Sequence, residues 1–251
     1  MCIRDRLDSN NIGIHPEQSY LPPNSSHWLG TDLFGRDVLT RVLQGTRTAL
    51  SVGVVTSLIA ILLGLAFGAS AGLFGGLWDA IVRWIYTTLD SIPYILLVSA
   101  AAYSMGQGLT NLYFTLGCTG WVKTCRIVRS ETLKLKGSHH YLAAQNLGTP
   151  WYKLLSFSIL PNLKHILFVR FGLFFVFAIK FEVILSFIGL GMEPGTPSWG
   201  AIISDSRTEL IQGIWWNFTA ASVFLFALVF AVHWLLATVS DEKYQLFYGE
   251  N

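Results

Sequence analysis

Residues 49–74 read ALSVGVVTSLIAILLGLAFGASAGLF. No Lys, Arg, Asp or Glu stands between Arg47 and Asp79. A helix needs about 20 consecutive apolar residues to cross a hydrocarbon core about 30 Å thick, and this stretch is longer. Gly64, Gly68 and Gly72 recur every four residues and so line one face of such a helix. Small side chains at that spacing let a neighbouring helix come close. Gly75 and Gly76 mark its end.

One helix of this kind can be buried in a soluble domain, but several would leave too little polar surface. Further apolar segments lie at 80–103, 109–128, 166–190 and 214–239. Hydrophobic residues make up 52% of the chain and charged residues 13%, against about a quarter charged in an ordinary soluble domain. The expected fold class is therefore an all-α membrane protein, a polytopic helix bundle with about five spans. A formal net charge of +2, with no basic patch interleaved with aromatics, gives no reason to expect a nucleic-acid partner. Cys2, Cys118 and Cys125 have no partners at metal-ligand spacing, so no metal is expected.

Met1 to Arg6 (MCIRDR) lacks the apolar core of a signal peptide and reads as an artefact. Residues 7–26, with Pro16, Pro22 and Pro23, read as a water-exposed segment. From His27 to Arg47, apolar Val38, Leu39, Val42 and Leu43 alternate with charges, a spacing that predicts an amphipathic helix at the membrane interface.

Orientation follows from basic residues in the connections. Lys123, Arg126, Arg129, Lys134, Lys136, Lys153 and Lys164 face a single acid, Glu131, and mark the cytoplasmic side. The loop after the fourth span holds Arg207 against Glu193, Asp205 and Glu209 and belongs outside. Residues 1–48 then form an extracytoplasmic segment and 49–240 a transmembrane domain with a cytoplasmic loop at about 129–165. Residues 241–251 form a cytoplasmic tail. Arg36, Arg41 and Arg47 fit the rule poorly on the outer side.

The cytoplasmic loop carries the most specific signals. Residues 138–147 are good helix formers, and Gly148 suits the left-handed position after a helix end. Thr149 is expected as the N-cap of the next helix and Pro150 as its first residue. That helix is expected to stop at Pro161. The pattern predicts a helix, a one-residue break and a second helix, a knob projecting into the cytoplasm.

The run Tyr141-Leu-Ala-Ala-Gln-Asn-Leu-Gly148, followed by Ser158-Ile-Leu-Pro-Asn162, resembles the EAA loop of ABC importer permeases. The spacing matches through Ala143, Ala144, Gly148 and Pro161, while Leu142 stands in place of the usual Glu and Ser158 in place of a frequent His. Residues 29–38 (LGTDLFGRDV) with Arg41 and Gly45-Thr-Arg47 resemble the dipeptide, oligopeptide and nickel permeases, in the C-type member of the pair. Phe74-Gly-Gly-Leu-Trp-Asp79, residues 185–191 (LSFIGLG) and Pro197-Ser-Trp-Gly200 fall where that family has them. Six spans are normal there, so the resemblance implies an N-terminal truncation.

The resemblance further implies a permease for peptides or a related solute such as nickel, in a bacterial or archaeal cytoplasmic membrane. Its partners would be a second permease, two ABC ATPase subunits and an extracytoplasmic solute-binding protein, besides membrane lipid. The chain has no Walker A pattern and is expected to bind no cofactor, leaving ATP and Mg to the ATPase subunits. Leu142, Ala143, Ala144, Gly148 and Pro161 would form the ATPase-coupling loop. Among charges within spans, Arg83 and Asp90 share a face and Lys180 and Glu182 sit deep. These are candidates for a translocation path or for pairing between subunits. A membrane enzyme is disfavoured, since neither HExxH nor GxSxG occurs. A stand-alone secondary transporter is the remaining alternative, but no internal repeat supports it.

Overall fold

The computed structural model describes residues 15–193 and 195–248, with side chains to residue 238. The MCIRDR opening, Cys2, Pro194 and residues 249–251 lie outside them. Apart from an isolated bridge between Thr31 and Asp37, the regular structure among the described residues is helical, beginning with a 3-10 turn at Pro16–Gln18, and turns and loops join the helices. The helices are α1 (Val38–Phe74), α2 (Gly76–Asp90), α3 (Tyr94–Met105), α4 (Leu109–Lys136), α5 (His139–Asn146), α6 (Trp151–Lys153), α7 (Leu160–Phe187), α8 (Trp199–Ile211) and α9 (Trp216–Tyr248). They distribute over two compact units. One holds described residues 15–54, 105–112 and 176–248, and the other holds 55–104 and 113–175.

In the second unit the glycine face of α1 meets α4. A Cβ added to Gly64 would stand 2.6 Å from the Thr124 Cβ, and one on Gly72 would stand 2.7 Å from the Thr132 Cβ. The predicted stripe is thus a close helix contact. At its end, Lys136 Nζ donates to the carbonyls of Leu73 (2.8 Å) and Gly72 (3.2 Å), satisfying acceptors that a helix C-terminus leaves open.

The expected second span, 80–103, is two helices. α2 and α3 meet at an angle of 93°. Pro93 explains the break, because it lacks an N–H and disfavours helical backbone at Ile92.

In the first unit α1 starts at Val38, and residues 27–37 form turns rather than the expected interfacial helix. Asp37 sets the start. Its Oδ2 accepts from the Thr40 N–H at 3.0 Å and the Thr40 hydroxyl at 2.9 Å, an N-cap. From there the helix continues without a break into the apolar stretch.

Helices stand at all five expected positions, but two of them, α1 and Trp216–Thr238 of α9, are long and apolar enough to cross a membrane. The bent α2–α3 pair makes a third if counted as one span. Charges interrupt the other two, Lys123, Arg126 and Arg129 in α4 and Lys164, Arg170, Lys180 and Glu182 in α7.

Candidate coupling corner and charge clusters

The loop between α4 and α7 folds as a corner. Ser138 caps α5, its side chain accepting from the Tyr141 N–H. Beyond the C-cap Leu147, Gly148 takes φ +77°. Its N–H donates to the Gln145 carbonyl (2.9 Å) and the Thr149 N–H to the Ala144 carbonyl (3.1 Å). This is a Schellman ending, which needs a left-handed residue where Gly148 sits. Thr149 is therefore used up in closing α5. The N-cap position before α6 falls to Pro150, not to Thr149 as expected, and Trp151 is the first helical residue.

Nor does Pro161 stop the second helix. A π-helical stretch, Leu154–Ile159, precedes it, and α7 runs through it. A proline ring in an α-helix collides with the carbonyl four residues back. The wider π turn just upstream relieves that collision. The corner is thus a short helix followed by one that leads directly into the fourth expected span.

Its inner side is anchored. Tyr141, Leu154, Ile159 and Leu163 are buried in one cluster with Ala69 and Leu73 of α1 and Val128 of α4, and Ala144 packs against it. Burial also raises the Tyr141 pKa above its ordinary value. Outward, Ala143, Gly148 and Pro161 are exposed, with Leu142 43% and Leu147 86% exposed. Of the five expected coupling residues, four face out and Ala144 faces in.

Arg83 and Asp90, expected on one helix face, take different partners within the chain. Arg83 Nε lies 3.3 Å from Asp79 Oδ2, while Asp90 accepts from Arg126 at 2.7 Å. Asp79 also receives both Nε and Nη2 of Arg129, the latter at 2.6 Å, in a bidentate pair. Arg126 lies over the Tyr86 ring, 5.3 Å from its centroid. Nothing in the sequence singles out Asp79 and Arg129 as site residues, since Arg126 and Arg129 read there only as cytoplasmic charge. Pairing across so many residues leaves no periodic signal.

Lys180 and Glu182 part company, as residues two apart on a helix must. Lys180 is exposed, whereas Glu182 is 1% exposed and accepts from the Ser186 hydroxyl at 2.8 Å.

A further charge cluster surrounds Asp32, inside the family-like run 29–38. Asp32 Oδ1 accepts from the N–H groups of Phe34 and Arg36, both at 2.9 Å. Oδ2 accepts from Arg36 Nε and Arg41 Nη1, both at 2.7 Å. Arg41 also reaches Asp205 of α8 at 3.2 Å. Trp216 ties the same run to α9 through a 3.1 Å bond to the Thr31 carbonyl. Trp199 bonds the Val42 carbonyl at 3.0 Å. Burial raises the Glu209 pKa, with a smaller opposing effect from its Asn217 hydrogen bond. Tyr20 is likewise raised, by burial and then by the charges of Glu209, Asp32 and Asp205. Among the described residues no group of His, Cys, Asp or Glu is arranged to hold a metal ion.

The family model for the binding-protein-dependent transport system inner membrane component matches residues 48–242. The chain belongs to this family. Over 211 residues it is 37% identical to the dipeptide transport system permease protein DppC of Bacillus subtilis, covering 84% of this chain and 66% of the relative. Over 194 residues it is 34% identical to the oligopeptide transport system permease protein OppC of the same organism, covering 77% of this chain and 64% of the relative. It thus spans just under two thirds of either relative's length. Among solved structures, a chain of the MetNI methionine ABC transporter in an inward facing conformation superposes with a TM-score of 0.64. That match has 16% identity and covers 79% of this chain and 94% of that one. At that identity the likeness speaks for the fold, which is a multi-pass helical membrane bundle. The family match includes the α5 corner, the Asp79 cluster and both Lys180 and Glu182.

Proposed function

We propose that this chain is the permease subunit of a binding-protein-dependent ABC importer that moves peptides across a bacterial cytoplasmic membrane by alternating access. The α5 corner carries the proposal. Leu142, Ala143, Leu147 and Gly148 present an exposed, small and apolar surface. Its inner side is packed into α1 and α4. Such a surface suits the groove of a separate ATPase subunit. Because α5 is packed on one side and joined by the short Gly148–Pro150 turn to α6, which runs on through the π stretch into α7, a push on it moves long helices as rigid bodies. Leu142 in place of an acid makes this docking apolar rather than ionic.

Family membership supports the remaining parts of the proposal. This chain would hydrolyse no ATP and hold no cofactor, leaving ATP and Mg to two ATPase subunits. A second permease would complete the pathway, and an extracytoplasmic solute-binding protein would deliver the solute. The two relatives carry dipeptide and oligopeptide names, which favours peptides, and nickel draws no support from them.

A pull-down of the full-length protein from native membranes tests the proposal. A second permease and an ATPase should be recovered, and the ATPase should be lost when Gly148 is replaced by Leu. Recovery of the chain alone, under conditions that keep other ABC complexes intact, would favour a stand-alone secondary transporter.

A further inference from the structure

The turns before α1 and the helix α8 enclose a cleft of about 180 Å³. This is well below the roughly 300–1,000 Å³ of pockets that hold drug-sized ligands, and it has room for about one long side chain. Three acids, Asp32, Asp205 and Glu209, and two bases, Arg36 and Arg41, line it. Both arginines are held by Asp32, which is 1% exposed. The excess negative charge therefore resides on the other two acids.

Those two are incompletely used. The Asp205 side chain is 54% exposed, with Arg41 at 3.2 Å as its ion-pair partner. Glu209 is 3% exposed. Its Oε2 accepts from Asn217 Nδ2 at 2.7 Å, and among the described residues no donor reaches Oε1. A buried carboxylate with an open oxygen on a cleft wall calls for a hydrogen-bond donor, and an ionised one calls for a cation. At the rim Leu33 is 51% and Phe34 44% exposed, beside Tyr20. An apolar rim over an anionic floor matches an amphipathic cation, whose stem packs on the rim while its head reaches the acids.

We propose that this cleft receives a lysine or arginine side chain of the extracytoplasmic solute-binding protein. The proposal rests on the importer function given above. The α8 wall lies in the loop that the distribution of basic residues assigns to the outer side, away from the ATPase, and the turns before α1 share the cleft with it. A solute's own ammonium group shares the chemistry. The exposed apolar rim and the small volume favour an anchor residue set in a larger protein surface.

The test measures the affinity of the full-length transporter, in nanodiscs, for its solute-binding protein by biolayer interferometry. The double variant Asp205→Asn, Glu209→Gln preserves shape and the Asn217 contact, and should weaken Kd at least about tenfold and flatten its salt dependence. Asp205→Lys should weaken it further. Pairing that variant with Asp in place of the contacting Lys or Arg of the binding protein, located by cross-linking, should restore affinity. Unchanged Kd in the double variant overturns the proposal. Unchanged Kd with a raised KM for uptake overturns it too, and assigns the cleft to the solute's ammonium group. If the wild-type protein recovers neither ATPase nor binding protein, the importer function itself fails and this site with it.

Discussion

Gly68 of α1 lies so close to Val128 of α4 that a Cβ on the glycine would stand 2.9 Å from the Val128 Cβ and 2.6 Å from the Cys125 carbonyl oxygen. Neither neighbour is the free end of a flexible chain, so a larger side chain must push the helices apart. Overpacking of this kind costs about 1–3 kcal/mol. Gly68→Leu should lower the midpoint of thermal unfolding in detergent. Gly137→Ala, whose Cβ would meet nothing closer than 3.4 Å, should leave it nearly unchanged. Equal midpoints for the two variants would show that the α1–α4 contact is loose.

Much of this architecture was legible in the sequence because it is local. The glycine stripe, the end of α1 and the left-handed Gly148 follow from residue types at fixed spacing. The start of α1 is not legible because His27 to Arg47 has helical periodicity throughout, and only the Asp37 cap, with its bond from Thr40, decides where winding begins. Pro161 reads as a stop in the sequence because a π stretch upstream of it has no compositional mark. The charge clusters were the least legible. Arg129 meets Asp79 across 50 positions and Arg41 meets Asp205 across 164, and such pairings arise only when helices pack.

Asp79 and Arg129 give a sharp contrast with a neighbouring pair. Their side chains are 13% and 18% exposed and joined by two hydrogen bonds. Asp79→Asn leaves the Arg129 charge without its carboxylate, and breaking a largely buried pair costs about 3 kcal/mol or more. Arg83, 52% exposed, touches the same Asp79, but an exposed pair contributes under about 1 kcal/mol. Thermal unfolding should therefore separate Asp79→Asn sharply from Arg83→Ala. Similar losses in both would mean that the bidentate pair is not the stabilising element.

Glu209 makes stability depend on pH. Its pKa in the folded protein lies above the ordinary value of 4.5, chiefly through burial. The folded state then binds the proton more tightly than the unfolded state, so stability falls as pH rises from about 4.5 through the folded pKa. Glu209→Gln removes this contribution. The difference in unfolding midpoint between variant and wild type should widen in the variant's favour as pH rises over that window. A difference independent of pH would show that Glu209 ionises as freely in the fold as in the unfolded chain.

Gly148 is constrained by its backbone alone, since a Cβ there would meet nothing within 4 Å while φ is +77°. A left-handed L-residue costs about 1–2 kcal/mol, small beside a total stability of about 5–15 kcal/mol. It is nevertheless enough to change the angle between α5 and α6. Gly148→Leu should remain in the membrane at the normal level yet abolish uptake. Gly148→Asn should retain most of it, because Asn tolerates the left-handed region. Normal uptake by the Leu variant would refute a coupling role for the corner.

Lys180 raises a different question, because its neighbour Glu182 is buried and hydrogen-bonded to Ser186 while Lys180 itself is exposed on α7. Within the fourth expected span a charge costs at least about 2.5–3.5 kcal/mol, and a water-lined path, an acid of a second permease or the lipid headgroups would each accommodate it. Lys180→Met keeps the length and apolar stem and removes the charge. If the path is right, the assembled transporter should form in normal yield with an altered uptake rate or substrate range. If the pairing is right, the yield of the two-permease complex should fall instead, and a compensating apolar substitution of the opposing acid should recover it. Unchanged yield, rate and range together would exclude both roles and place the Lys180 ammonium group at the lipid headgroups, reached by snorkelling.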